Sequence, residues 1–389
     1  MVKALRFTLK LVTFLAALSA GGNAWAGNGT RLPPNHFVGL RPAGMGQAFT
    51  AVADDQNALY YNPAGLARLD SWSLEIISPF VGFNNALLQN VDSFMEMQTL
   101  LQGGSASTSQ TLERLQPIIN DVSGKNNFAR VGNAPYFVMK NFGIGLYSDT
   151  NIELVPHGQA LPELLDFSLQ SDADFRVGYA HNFFGEKLAV GGSVSYRARS
   201  AAIKDNLGLI EFVEISKDKA KSKAFLQDTL KAGTGIGADV GMLFTPVEMW
   251  KPTLGVSVLN IGDTRLKKFE KSTRFKGGAP APIPQSVNMG LSVTPTFGNW
   301  FTRGALDFRD LNLPTPASDK PCFGLEGGIK GRFVSGALQG GMAEGYLSGG
   351  FEARLLVLTL RYATYKTERG YFPNQNAERR HLLQAKILL

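Results

Sequence analysis

The chain is poor in the side chains that most enzymes and metal proteins depend on. It has one cysteine, Cys322, in 389 residues, so no internal disulfide can form and no Cys/His set has zinc spacing. Its four histidines, His36, His157, His181 and His381, fall on separate segments. No Gly-rich loop precedes a Lys-Ser/Thr pair, which removes the phosphate-cradling motif. No apolar run beyond Ala20 approaches the ~20 residues that a membrane helix needs. Charged residues make up only 18% of the chain, and the formal net charge of +7 is too mild to imply nucleic acid. The expectation is a protein with no catalytic constellation, no cofactor, no metal and no enzymatic activity.

What is plentiful points elsewhere. Forty-three glycines and 10% aromatics suit many strands and tight turns better than helices. Lys3, Arg6 and Lys10 precede an apolar core from Leu11 to Ala20 and then Ala24-Trp25-Ala26, the pattern of a secretory signal peptide cleaved after Ala26. The expected division is a signal peptide over 1–26, an N-terminal hatch or plug over 27–70, and a barrel over 71–389.

Period-two alternation recurs from about Ser71 onward. Phe175, Val177 and Tyr179 alternate with Asp174, Arg176 and Gly178; Val190, Val194 and Tyr196 alternate with Gly191, Ser195 and Arg197. One face is apolar and the other polar or small, as in a sheet that faces two solvents. Such runs predict strands near 71–83, 128–140, 143–155, 171–184, 187–203, 234–246, 252–262, 285–296, 299–309, 322–332, 335–343, 346–355, 356–368 and 379–389. Fourteen is an even number, as bacterial single-chain barrels have. Short connections, such as Asn141-Phe142 and Phe297-Gly298, alternate with long ones at 84–127, 156–170, 204–233, 263–284 and 310–321. The join near Gly345 departs from the alternation by being short. The fold predicted is all-β: a 14-stranded antiparallel transmembrane β-barrel with a short helical hatch in the lumen and helical extracellular loops.

Charge on a lipid-facing wall would cost about 2 to 4 kcal/mol per Arg or Lys near the midplane, so the polar parity points inward. Arg176, Arg197, Asp239, Arg303, Asp307, Glu326, Glu352 and Arg361 therefore face the lumen, either as a charged conduit or as a network holding the N-terminal segment. In that segment Gly44, Gly46 and Gly65 permit tight turns or close approach to a wall. Asp54 and Asp55 read as caps of the turn from Gln56 to Tyr61, with a paired-carboxylate site as the alternative. Asn62 and Pro63 supply N-cap and N1 chemistry for a second short helix, with Ala64 following. In the loops, Leu88, Val91, Phe94, Met95 and Phe212 form either an outward groove for a greasy ligand or the small core of an ordered loop. The run Lys217, Lys219, Lys221 and Lys223 reads as a solvated face, with lipopolysaccharide phosphates as the alternative contact.

Gly44-Met45-Gly46, Ala53-Asp54-Asp55 and Asn62-Pro63-Ala64-Gly65-Leu66 resemble the hatch of the FadL superfamily of outer-membrane barrels. The fuller string GMGQAFTAVADDQNALYYNPAGLA is closer to the PorV-like branch, and DVGMLFTP, LGVSVLNIGDT and GYLSGGFEARLLVLTLRYATYKTERG are similar to it too. The resemblance implies a Gram-negative outer-membrane barrel with Asn62-Pro63-Ala64 in a lumen plug. FadL relatives import hydrophobic molecules such as long-chain fatty acids, whereas PorV-like relatives serve protein export. The expected function is passive uptake of a hydrophobic small molecule. The alternative is a non-transport scaffold or shuttle acting with a secretion or transfer system. Expected partners are outer-membrane lipid and lipopolysaccharide, with a hydrophobic ligand or a secretion protein according to the reading.

Overall fold

The computed structural model describes residues 37–102, 107–157, 164–269, 277–331, 333–368 and 377–387. The expected signal peptide, and the hatch residues before Phe37, lie outside the described residues. Eighteen strand segments make one sheet. Four staves consist of two consecutive segments each, so fourteen antiparallel staves close the barrel. They are β1 (Ser73–Glu75 and Pro79–Asn84), β2 (Asn127–Asn133 and Tyr136–Met139), β3 (Phe142–His157), β4 (Leu164–Phe183), β5 (Leu188–Gly208), β6 (Lys231–Phe244) and β7 (Thr253–Leu259 and Lys267–Lys268). The circuit continues with β8 (Ser286–Val293 and Thr296–Phe297), β9 (Trp300–Phe308), β10 (Pro321–Ile329), β11 (Val334–Ala343), β12 (Tyr346–Leu355), β13 (Leu358–Glu368) and β14 (Ala377–Ile387). The seam closes where Phe80 to Asn84 of β1 pair with Gln384 to Arg380 of β14.

The fourteen expected strands fall on these staves, and the alternation decides which face each residue takes. Phe175, Val194, Tyr196, Ile236, Leu325, Leu338 and Leu360 are exposed on the outside, while Arg176, Arg197, Asp239, Asp307 and Glu326 are buried within. A wall so apolar is dressed for hydrocarbon, since a water-soluble surface would not carry so large a continuous patch. Trp72, Trp250, Phe297, Trp300 and Phe333 are exposed at the short-turn end, where an aromatic girdle belongs.

The structure corrects the strand reading in two places and bears out the short join. β4 and β5 run for 20 and 21 residues, about twice what spans a bilayer, because alternation continues through stretches whose polarity reads as loop. Stave β1 is interrupted: Ser73 pairs with Val138 but Pro79 with Asn133, one residue out of register, and this bulge leaves Ile76 and Ile77 exposed. The short join at Glu344-Gly345 is a two-residue hairpin with both residues at positive φ, 53° and 78°, the conformation that matches strand twist.

Helices cap the long-loop end. Those between β1 and β2 are Asn85–Gln89, Val91–Gln102 and Thr108–Val122, and those between β5 and β6 are Leu209–Lys217 and Lys219–Thr229. Met97, Leu115, Ile118, Ile119, Leu209 and Val213 form their core, with Phe94 and Phe212 packed against it. Leu88, Val91, Phe94, Met95 and Phe212, read together as one groove or one small core, therefore divide. Leu88, Val91 and Met95 point to solvent, because Phe94 and Met97 occupy the neighbouring stripe that faces the other helices.

Candidate functional site

The hatch threads the lumen as three short turns: Leu40–Gly44, Ala58–Tyr61 and the 3-10 turn Pro63–Arg68. Pro63 stands at the first helical position, and the Asn62 side chain accepts from the Ala64 N–H at 3.2 Å, as N-cap chemistry requires. The same Asn62 amide donates to the Thr50 carbonyl at 2.8 Å and to the wall carbonyls of Met242 and Val256 at 3.2 and 3.4 Å. One side chain thus ties the hatch to itself and to β6 and β7.

Asp55 behaves as a turn cap, accepting from the Asn57 N–H at 2.8 Å. Asp54 does not cap; it belongs to an ion network that bolts the hatch to the wall. Arg41 grips both oxygens of Glu326 at 2.7 Å and reaches Asp54 and Asp55 at 2.7 and 2.9 Å. Arg303 bridges the same acids, Glu326 at 2.5 Å and Asp54 at 2.6 Å. Burial disfavours charge on Asp54, but the Arg303 and Arg41 guanidiniums outweigh it and hold its carboxyl well below the ordinary range. Paired forks of this kind fix orientation as well as charge.

A second cluster holds the other side. Arg176 donates to Asp239 at 2.6 Å and to the Leu59 carbonyl of the hatch at 2.8 Å, pairs with Asp174 at 2.9 Å, and lies 4.8 Å from the Tyr60 ring centre. Arg197 joins through Asp174 at 2.9 Å. Asp307 receives the Phe49 and Thr50 N–H groups at 2.8 and 2.6 Å. Glu352 and Arg361 pair with each other at 2.5 Å; no hydrogen bond or ion pair ties either to the hatch among the described residues. Asp307→Ala leaves two hatch N–H groups buried and unpaired, at about 1 to 3 kcal/mol each. A lower urea midpoint with an intact barrel spectrum is the expected result.

Between these bolts the hatch touches the wall backbone. A Cβ on Gly241 would stand 1.9 Å from Asn62 Oδ1, and one on Gly46, at φ +59°, would stand 2.5 Å from the Met342 nitrogen. A Cβ on Gly143, Gly178, Gly191, Gly255, Gly290, Gly324, Gly341 or Gly350 would likewise stand 3.3 Å or less from a hatch atom or its anchor. Contacts therefore run around the wall without a gap from β3 to β12. Gly65 is needed inside the hatch, where a Cβ would meet the Ala53 carbonyl at 1.9 Å, and Gly44 passes close to Gly350.

Two spaces flank the hatch. On the long-loop side is a vestibule of about 210 Å³, lined by Gln47, Arg130, Glu153, Arg309, Glu344 and Glu368 among others. Behind the β1 bulge is a cavity of about 30 Å³, lined by Tyr60, Ser78, Phe80, Tyr136, Arg361 and Gln384. Phe37 and Val38 line both, and the Phe37 ring stacks on Tyr60 at 3.9 Å. The expected hatch residues and lumen charges are thus mostly brought together, while Leu88, Val91 and Met95 sit apart on the cap. Sequence reasoning missed Arg41, Tyr60, Phe37 and the wall glycines. The signal for the glycines was present, because they occupy the inward parity of successive strands.

No protein-family model matches the chain, and no curated protein matches it. Solved structures do. A FadL homologue from Pseudomonas aeruginosa aligns at 10% identity over 92% of this chain and 99% of its own, with a TM-score of 0.50. A deltaS2S3 mutant of TodX, a monoaromatic hydrocarbon channel, aligns at 12% identity over 90% and 98%, with a TM-score of 0.51; TodX is a toluene transporter of Pseudomonas putida. At these identities what is shared is the fold: this chain is a closed fourteen-stranded barrel of FadL type.

Proposed function

We propose that the protein is exported through a cleaved signal peptide, residues 1–26, and lies in the outer membrane as a barrel, residues 71–389. Its hatch, residues 27–70, then controls passive uptake of a hydrophobic small molecule resembling a long-chain fatty acid, with no chemistry performed on the ligand. The observation that carries this reading is the uneven seating of the hatch. From β3 to β12 hydrogen bonds and ion pairs tie it to the wall, whereas on the β13, β14, β1 and β2 sector it is held by apolar packing on Phe80, Tyr136, Ala363 and Leu382, beside a cavity behind a bulged stave. A shift of Phe37 and Val38 alone would join that cavity to the vestibule. The exposed Leu88, Val91 and Met95 offer an apolar landing place beside the mouth, over the Phe94 and Phe212 packing layer. One of the two solved structures that share this fold is a monoaromatic hydrocarbon channel.

Reconstitution tests it. Liposomes containing the protein should take up labelled fatty acid or toluene faster than empty vesicles, and Phe37→Ala should raise the rate further. No uptake of either compound, together with no change on deleting 44–66, would sink the proposal. The charged lining of the vestibule favours a second reading, a PorV-like scaffold for exported proteins. A stoichiometric protein partner in detergent pull-downs, with no uptake, would select it.

A further inference from the structure

The outer wall between β7 and β12 carries a shallow apolar groove of about 930 Å³, lined by Leu291, Leu306, Phe323, Leu325, Met342 and Leu347. Two outward glycines, Gly304 and Gly340, make its floor. A Cβ on Gly340 would meet nothing within 4 Å, and one on Gly304 would make only ordinary contacts with Val293 and Leu325, at 3.7 and 3.8 Å. Neither glycine has positive φ. Neither the backbone nor the packing of the wall requires glycine at these two positions, so the consequence of their bareness is the depression itself.

The long-loop end of the groove is Leu347, and cations stand beside it. Arg379 of β14 donates to the Leu347 carbonyl at 3.4 Å and to the Thr364 hydroxyl at 3.3 Å. Its direct cross-strand partner is Lys366 of β13, whose ammonium lies 5.7 Å from the Tyr346 ring centre. The acid next to Arg379 in sequence, Glu378, is taken by Arg380, and among the described residues no carboxylate lies within ion-pair distance of Lys366 or Arg379. Like charges directly opposite one another on a ladder are destabilising, and an anion lying between them relieves the repulsion. Arg379 stands on the outward face at the upper edge of the apolar belt, and Lys366, which also lines the rim of the vestibule, stands beside it at the level where lipid phosphates lie.

We infer that groove and cation pair form one site for an anionic lipid of the outer leaflet, with its phosphate on Lys366 and Arg379 and an acyl chain along the glycine floor. The inference rests on the membrane placement above, not on transport. A free phosphate would leave the groove unused, and a second apolar barrel wall would leave the cations unneutralised.

The full chain, purified in dodecyl maltoside, can be titrated with bisphosphorylated lipid A or with phosphatidylcholine and followed by native mass spectrometry. One lipid A should stay bound where phosphatidylcholine does not. The double variant K366Q/R379Q should weaken retention about tenfold or more, and added salt should weaken it in wild type. Gly340→Leu, which fills the groove and leaves both cations, should weaken it too. Heat-modifiable gel migration checks that each variant still folds. Equal retention of the two lipids, retention unchanged in both variants, or full competition by inorganic phosphate would each overturn the site. Lost retention with fatty-acid uptake intact would remove this inference alone, and absent uptake with retention intact would remove only the transport reading.

Discussion

Glu326→Ala is expected to unseat the hatch. It removes the more deeply buried of the two acids that both Arg41 and Arg303 grip and leaves the two guanidiniums to share Asp54 and Asp55. Glu326 is 1% exposed at its side chain, and Arg303 is 6% exposed, so water compensates little. Breaking a buried pair from one side costs about 3 to 5 kcal/mol. The barrel ladder is untouched, so the loss should fall on the hatch: small-solute leakage into liposomes should rise sharply while heat-modifiable migration persists. Glu326→Gln keeps the hydrogen-bonding shape without the charge and should fall between. Leakage equal to wild type in Glu326→Ala would mean that the network does not hold the hatch.

The second large effect is steric. In Gly241→Ala the added methyl would stand 1.9 Å from Asn62 Oδ1 and 3.1 Å from Pro63 Cδ, contacts that side chains do not tolerate. Overpacking at such a site costs about 1 to 3 kcal/mol, and here the hatch gives way more readily than a stave paired on both edges. Leakage should increase, and combining the change with Asn62→Ala should restore part of the seal by removing the atom that is struck. If the double variant leaks as much as the sum of the two single variants, the clash is not the cause.

How much of this was legible before the structure depends on the range of the interaction. Staves are local patterns, and alternation such as Phe175-Arg176-Val177 places each residue on its face without any knowledge of neighbours. Asn62-Pro63 is local too, so its cap chemistry could be read directly. Asp54 was misread for the opposite reason: beside Asp55 it looks like half of a cap, while its partner Arg303 lies 249 residues away. Arg41 has the same difficulty, since 285 residues separate it from Glu326. The bulge at β1 escapes notice because Ile76 and Ile77 fit a strand composition and only the pairing of β1 with β2 reveals the slip. In the cap, 3.6-residue periodicity places Phe94 and Met97 on one stripe, but it cannot say which stripe the neighbouring helices will cover.

The circuit of hatch contacts also bears on how the molecule is made. Taken from β3 to β12, the wall meets Leu59 and Leu66, then Ala64, Asn62, Thr50, Ala51, Met45, Gly46 and Gly44, so the hatch is laid around the lumen in nearly reverse order to the staves. It precedes every stave in the chain, and the seam joins the most distant segments, with Asn84 and Glu378 meeting across 294 residues. Closing so long a loop opposes folding entropically, yet each stave that docks on the hatch shortens the distance left to close. A hatch in contact with stave after stave is thereby placed to set the girth of the cylinder that surrounds it.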